Sequence, residues 1–459
     1  MEGRPNILFL LNDHQAYYRH GWDGGPQPHR SHFDRLAAQG VSFERAYTAC
    51  PLCGPARRTL LTGLFPHNHG EIKNDVKAPY DHEVYLDLLA DAGYRNYYFG
   101  KWHAGAGTAH DHGCDGFSYP SYNNPYTKPE YQAYLERRGL PEPEILIEKS
   151  FDPWKEGLRE GERYRQEAPW CNEHASGLML GPNETHEAFF LAHLACERLR
   201  ALAESPDDRP FALRVDFWGP HQPYFPTRDF TDLYDPRAIP EYGSFRDDLQ
   251  HKPDIYHRDW NLGISRDDRL IRPNPLPWSD WQKVLARCYA QITLVDAAGG
   301  LILQTLEELG LAENTLVIWT TDHGDAVACH GGHFDKRSYM PEEMVRIPLA
   351  IRYPGHIPAG EVNDRLVSNI DLAPTMLNAA GLGFVREVDG RSLLPLCRGE
   401  DGDWRGDLMC ETHGHGEEHL GRLVVTERYK YVANAGQMDE LYDLEQDPYE
   451  LMNLIDEPA

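Results

Sequence analysis

Short apolar runs alternate along this chain with stretches of helical period. Residues 7–11, behind Asn6, form an unbroken apolar run, the pattern of a strand buried on both faces. Phe33, Leu36 and Ala37 then recur at helical spacing, Gly40 is placed to stop that helix, and residues 41–43 extend again. A second helix is expected over residues 84–92, stopped by Gly93, with a strand over 95–99 behind it. Residues 211–217 read as a strand, and a helix over 293–309 precedes another strand over 316–321. Strands that alternate with helices predict an α/β fold with a large, mainly parallel sheet sandwiched by helices.

Four of these strands end in ionisable residues. Asp13 and His14 follow the first, Lys101 and His103 the run at 95–99, His221 the run at 211–217, and Asp322 and His323 the run at 316–321. Ligands bind beyond the carboxyl ends of the strands in such sheets, so four ends carrying the same few residue types point to one site.

Two stretches break the alternation. Residues 118–183, rich in Tyr, Pro, Glu and Trp with weak periodicity, and residues 222–280 read as long insertions over the sheet, placed to wall a substrate. Beyond residue 382 the pattern changes again: 423–426 and 429–432 predict a hairpin, and 440–444 a third strand. The expected organisation is a main α/β domain over 1–382 and a small C-terminal α+β subdomain over 383–459 containing an antiparallel sheet.

Composition narrows the partners. A chain of 459 residues with 41% hydrophobic residues is long enough for a large core. Its net charge of -27 argues against a nucleic-acid partner, because nothing offsets repulsion from phosphates. A local basic pocket still holds one anionic group, since salt screens distant charges beyond about 8 Å. No run approaches the ~18 apolar residues of a membrane span, and no signal-peptide pattern opens the chain. With nine scattered cysteines, the expected location is cytoplasmic, where the Asn183-Glu184-Thr185 sequon stays unmodified.

The stretch CPLCGPARRTLLTGLFPHNHG, residues 50–70, carries the sharpest signal. Cys50 and Cys53 have the spacing of half a zinc site, but no second pair completes four ligands. A redox role would suit a smaller βαβ domain. A third reading makes Cys53 a precursor. Cys53-Gly54-Pro55-Ala56-Arg57, followed by Leu60-Leu61-Thr62-Gly63 and Pro66-His67-Asn68-His69-Gly70, resembles the signature of the type I sulfatases, in the alkaline phosphatase superfamily. In that family a separate generating enzyme oxidises this cysteine to formylglycine.

The likeness runs nearly end to end. Asn6-Ile7-Leu8-Phe9 leading to Asp13 is similar to the family's first strand and first metal ligand, and Gly100-Lys101-Trp102-His103 to its sulfate-holding element. Pro220-His221, Thr321-Asp322-His323-Gly324, Lys336, Arg428-Tyr429-Lys430-Tyr431 and Glu440-Leu441-Tyr442-Asp443-Leu444 also match, and the middle insertions match least. The resemblance implies an alkaline-phosphatase-like fold and sulfate-ester hydrolysis by a formylglycine hydrate at position 53 beside one divalent cation. The implied ligands are Asp13, His14, Cys53, Asp322 and His323; Arg57 orients the diol; Lys101, His103, His221 and Lys336 bind sulfate. His103 is the implied base, and His221 or Lys336 the acid.

The chemistry asks for these residue types independently. A sulfate ester carries one negative charge and its leaving alkoxide develops another, so catalysis needs fixed positive charge at the non-bridging oxygens. One position departs from the family pattern: Asp13-His14-Gln15 stands where many sulfatases have Asp-Asp-Gln. Calcium is the family default, whereas imidazole at His14 and His323 suits manganese or zinc better. His14 is equally able to point away from the metal. His110 and His112 read as loop residues, His413, His415 and His419 as a solvated loop within reach of substrate, and Cys50 as a buried small residue. The expected substrate is a sulfated saccharide or small metabolite. The competing readings are a phosphonate monoester or phosphodiester hydrolase of the same superfamily, against which Lys101 and His103 argue, and a non-catalytic binder of sulfated ligands.

Overall fold

The computed structural model describes residues 3–17, 27–165, 174–400 and 402–457. Among the described residues nine strands build the main sheet: β1 (Asn6–Asp13), β2 (Val41–Tyr47), β3 (Arg95–Lys101), β4 (Cys114–Tyr119), β5 (Phe211–Pro220), β6 (Thr315–Thr321), β7 (Arg346–Arg352), β8 (Glu361–Asn363) and β9 (Val367–Ser368). Their order is β8-β2-β7-β6-β1-β5-β3-β4, with β9 also on β2. All pairings are parallel except those of β7, which runs against β6 and β2.

β1 lies at the centre, and its side chains alternate between two cores. Leu8 and Leu10 face one layer, where α1 (Ser31–Ala38), α4 (Glu187–Ala203) and α5 (Trp278–Glu308) contribute Phe33, Leu191, Val295 and Ile302. Ile7, Phe9 and Leu11 face the other, where α2 (Cys53–Thr62), α3 (Tyr85–Asp91) and α6 (Leu372–Ala379) contribute Leu60, Leu89 and Met376. Burial on both faces is why β1 reads as an unbroken apolar run. Truncating Leu10 to Ala would leave a cavity costing about 2–5 kcal/mol.

α5 starts 15 residues before the position its periodicity suggested, at Trp278 rather than residue 293. Its first half turns away from the sheet and packs through Trp281, Val284, Leu285 and Cys288 against Phe151, Phe245 and Phe334. The helix therefore changes partners midway, and no single apolar stripe runs its length.

The first insertion is more ordered than its weak periodicity suggested. It holds a helix at Pro129–Arg138 and an antiparallel sheet of Glu144–Ser150, Arg163–Arg165 and Ala175–Leu180. Near the C-terminus lies a separate antiparallel sheet of β10 (Leu408–Thr412), β11 (Gly421–Val425), β12 (Tyr429–Asn434) and β13 (Glu440–Asp443). β10 was not foreseen. Cys410, Leu423, Val425 and Val432 of this sheet pack on Tyr47, Met340 and Val345. Among the described residues no helix is long and apolar enough to cross a membrane.

Candidate active site

Sheet register brings the first two carboxylates together. Asn12 of β1 pairs with Thr321 of β6, so Asp13 and Asp322 leave adjacent strand ends side by side. Both are fully buried. The backbone N–H of His14 donates to Asp322 Oδ1 at 2.9 Å, and that of Gln15 to His323 O at 2.8 Å, locking the two turns to each other.

Cys53 is the first residue of α2, where free backbone N–H groups and the helix dipole favour negative charge. Its Sγ lies 3.7 Å from Asp13 Oδ1 and 3.2 Å from His323 Nε2. Arg57, one turn on, is wholly buried among carboxylates. Its Nε donates to Asp322 Oδ2 at 2.8 Å and its Nη1 to Asp216 Oδ2 at 2.9 Å, with Asp13 Oδ1 3.6 Å from Nη2. Burial opposes the charge on Arg57, but Asp322, Asp13 and Asp216 together hold its pKa above the ordinary value. Burial likewise disfavours ionised Asp322, and the neighbouring Arg57, His323 and Lys101 reverse the sign, keeping it a carboxylate far into acid. Lys101, at the end of β3, donates to Asp13 Oδ2 and lies 4.3 Å from the Tyr122 ring centroid.

His14, His221 and His323 form a neighbouring imidazole group. The His14 ring lies 4.7 Å from each of the other two. Burial, then the Lys336 ammonium, push His14 and His221 well below the ordinary range, while His323 is lowered by burial against the pull of Asp322. Lys336 Nζ is 2.9 Å from His221 Nε2 and 3.2 Å from Asp335 Oδ1. His103 joins through the Tyr122 ring, which lies 6.3 Å from His103 and 5.3 Å from His221, and its Nε2 is 3.5 Å from Asp75 Oδ2. That contact leads in holding Asp75 down at about 2. The backbone of His103 also runs beside the start of α2: a Cβ on Gly54 would lie 3.5 Å from His103 O. His14, Asp75 and His103 all have left-handed φ values of 62°, 58° and 43°, a conformation costing L-residues on the order of 1 kcal/mol each.

Asp13, Cys53, Asp322 and His323 present ligand atoms within 4.8 Å of one another, a set able to hold one divalent cation. His323 is oriented as a ligand, because its Nδ1–H donates to Gly324 O at 2.8 Å and leaves the Nε2 lone pair facing Cys53 Sγ. His14 stands outside this set. Its Nδ1 and Nε2 are 3.8 Å and 3.5 Å from Asp335 and Asp325, and it groups instead with His221 and Asp335.

Every strand-end residue singled out in the sequence thus reaches one region. The other histidines singled out in the sequence do other things: His110 contacts Cys114 O, His112 Asp87, His413 Glu411 and His419 Asn434. His415 lies 6.3 Å from Trp260, and burial followed by Lys336 lowers it to about 3. Cys50 is buried. Asp216, Asp335 and Tyr122 were not foreseen. Arg214 and Asp216, two apart in β5 and bonded at 2.7 Å, gave the signal for the first, since paired charges inside a buried strand need partners.

The sequence profile of the sulfatase family matches residues 5–382, and that of the N-sulphoglucosamine sulphohydrolase C-terminal region matches residues 329–459. The chain is 31% identical to the uncharacterized sulfatase YidJ of Escherichia coli, over 99% of this chain and 84% of that one. It is 24% identical to an N-acetylglucosamine-6-O-sulfatase of Bacteroides thetaiotaomicron, over 98% of this chain and 83% of the other. The crystal structure of a phosphonate monoester hydrolase from Agrobacterium radiobacter superposes with a TM-score of 0.77 at 23% identity, covering 99% of this chain and 92% of that one. The chain therefore belongs to the sulfatase family of the alkaline phosphatase superfamily and is a sulfuric ester hydrolase.

Proposed function

We propose that this enzyme removes sulfate from a sulfated saccharide, using Cys53 after conversion to formylglycine and one divalent cation held by Asp13, Asp322, His323 and residue 53. The observation that carries the reading is the position of Cys53 Sγ at the start of α2, against Asp13 and His323, with Lys101 bonded to the same Asp13. A hydrated aldehyde there supplies two geminal hydroxyls, one to attack sulfur and one to expel sulfate as the carbonyl re-forms. The cation supplies Lewis-acid charge against the sulfate oxygens and acidifies the residue-53 hydroxyl. An imidazole in the donor set favours Mn2+ or Zn2+ over Ca2+.

This chain's own residues do the rest. Lys101, His103, His221 and Lys336 surround the sulfate with positive or hydrogen-bonding groups, and Arg57 holds Asp13 and Asp322 in place and keeps Asp322 ionised. His221 Nδ1–H donates to Gln222 O at 2.5 Å, so its Nε2 accepts from Lys336 Nζ at 2.9 Å. The mobile proton therefore sits on Lys336, which becomes the acid for the leaving oxygen; His103, oriented by Asp75, is the base for aldehyde regeneration. The saccharide reading draws on the kinship with the Bacteroides N-acetylglucosamine-6-O-sulfatase and on Tyr122 beside the sulfate-binding groups. Residues 1–382 form the catalytic domain in this proposal and 383–459 its C-terminal subdomain. Free thiols on all eight cysteines among the described residues support a reducing compartment such as the cytoplasm, and conversion of Cys53 calls for a formylglycine-generating partner.

The test is turnover of a nitrophenyl sulfate and the matching nitrophenyl phosphonate by protein co-produced with the maturation enzyme. Sulfate turnover should dominate and vanish in Cys53→Ala. Preference for the phosphonate, or full activity in Cys53→Ala, would overturn the proposal.

A further inference from the structure

A second cluster of ligand-type side chains lies where the C-terminal sheet meets the insertion at 222–280. His330, on the loop that carries Lys336, Glu343 of the short helix Glu342–Val345, and Glu450 beyond β13 present ligand atoms within 4.8 Å of one another. All three residues are buried.

The cluster is oriented as a ligand set. His330 Nδ1 is 3.1 Å from Asp247 Oδ2 and so carries a proton, directing Nε2 towards Glu343; a carboxylate behind a metal-bound histidine does the same, and without a metal, against burial, Asp247 and Glu343 raise the ring's pKa above its ordinary value. Tyr242 donates to Glu343 Oε1 at 2.9 Å, fixing that carboxylate and leaving Oε2 free. The backbone N–H of Glu342 donates to Glu450 Oε2 at 2.7 Å, leaving Oε1 with the Lys430 ammonium 2.7 Å away as an ion pair. Among the described residues His330 Nε2 and Glu343 Oε2 are without a hydrogen-bond partner, and Glu450 Oε1 has the Lys430 ammonium. Two facing atoms of different side chains left over in this way are uncommon in a buried region.

Distance and charge select the missing group. His330 Nε2 is 3.5 Å from Glu343 Oε2. That is too long for the ~2.7–2.9 Å of a charge-assisted hydrogen bond. It is close to the ~3.3 Å between two ligands each about 2.0–2.1 Å from one tetrahedral ion. Around this point, among the described residues, the carboxylates of Asp247, Glu342, Glu343, Glu440 and Glu450 face the cations of Lys252, Lys430 and Arg346 and the titratable ring of His330. With His330 neutral, as a metal ligand must be, two negative charges remain, which one divalent cation cancels.

We propose that His330, Glu343 and Glu450 bind a divalent transition-metal ion, Zn2+ or Mn2+, separate from the cation at residue 53. One imidazole with two carboxylates is a donor set for either ion. The ion is structural: it ties the chain's last described segment to the loop that presents Lys336.

Metal content of full-length, tag-free protein tests this. The wild type and Asp322→Asn are stripped with chelator, reloaded with Zn2+ or Mn2+, desalted and assayed by mass spectrometry of the element. Asp322→Asn should retain about one equivalent, and Glu343→Gln and Glu450→Gln about one fewer than wild type. The Asp322→Asn/Glu343→Gln double variant should retain none. Reloading should also raise the Tm of Asp322→Asn by several degrees, a readout that needs no variant of the new site. No metal and no Tm change in Asp322→Asn would overturn the proposal, leaving His330 as an imidazolium between Asp247 and Glu343. An Asp322→Asn protein that keeps the wild-type content would instead count against the cation at residue 53.

Discussion

The strand-end site and the His330 cluster are both buried, and both combine carboxylates, imidazole and lysine. They differ in how the chain assembles them. Asp13, Lys101, His221 and Asp322 sit at the ends of strands whose neighbours are fixed by sheet register, so the positions follow from a few parallel pairings. His330, Glu343 and Glu450 come from a loop, a four-residue helix and a turn near the C-terminus, with no periodic element to place them. The strand-end carboxylates also have fixed internal counter-charges in Arg57 and Lys101, whereas the second cluster has fewer cations than carboxylates. Rigid elements can therefore hold a prearranged charge cluster, and a junction of irregular segments leaves one to be completed.

Removing the internal counter-charge should erase much of that difference. Arg57→Met leaves Asp13, Asp216 and Asp322 buried without their shared partner, so it should destabilise the protein by about 3–5 kcal/mol and abolish turnover. Denaturant unfolding checks it; a loss below ~1 kcal/mol would mean that Arg57 is not what neutralises the strand-end site.

Lys336→Met should sharpen the comparison chemically. If Lys336 protonates the leaving oxygen, turnover of an alkyl or sugar sulfate should fall by ~10²–10⁴ while nitrophenyl sulfate, which needs little proton assistance, falls far less. Equal losses on both substrates would reduce Lys336 to an electrostatic role.

A smaller effect comes from Glu187, in α4 beneath the strand-end site. Its Oε1 accepts from Gly219 N at 3.0 Å and its Oε2 has no hydrogen-bond partner among the described residues. Burial, partly offset by the backbone bonds, raises its pKa to about 8. A carboxyl with a higher pKa folded than unfolded holds its proton in the native state, so stability is full below the unfolded pKa and is lost as pH rises through about 8. Glu187→Gln should match wild type in unfolding free energy near pH 5 and exceed it at pH 9, by on the order of 1–3 kcal/mol. A gain independent of pH would contradict it.

The comparison also explains what could be read from the chain. Strands buried on both faces announce themselves as apolar runs, and the first ionisable residues after them mark the ligand-binding edge; Asp13, Lys101, His221, Asp322 and His323 were visible for that reason. Asp216 was hidden inside such a run, and Tyr122 inside an insertion without a clear period. The first half of α5 escaped notice because its apolar face turns to the insertion instead of the sheet. Burial patterns do not encode strand direction, so the antiparallel course of β7 was equally hidden. Proximity of His330, Glu343 and Glu450 depends on how irregular segments meet the C-terminal sheet, which no local pattern records.

The most direct test of the account is the mass of the peptide containing residue 53, measured alongside specific activity in preparations made with and without the maturation enzyme. Conversion of Cys53 to formylglycine should lower that mass by about 18 Da, and the converted fraction should rise in proportion to sulfatase activity. Full activity in protein whose Cys53 remains an unmodified thiol would contradict it.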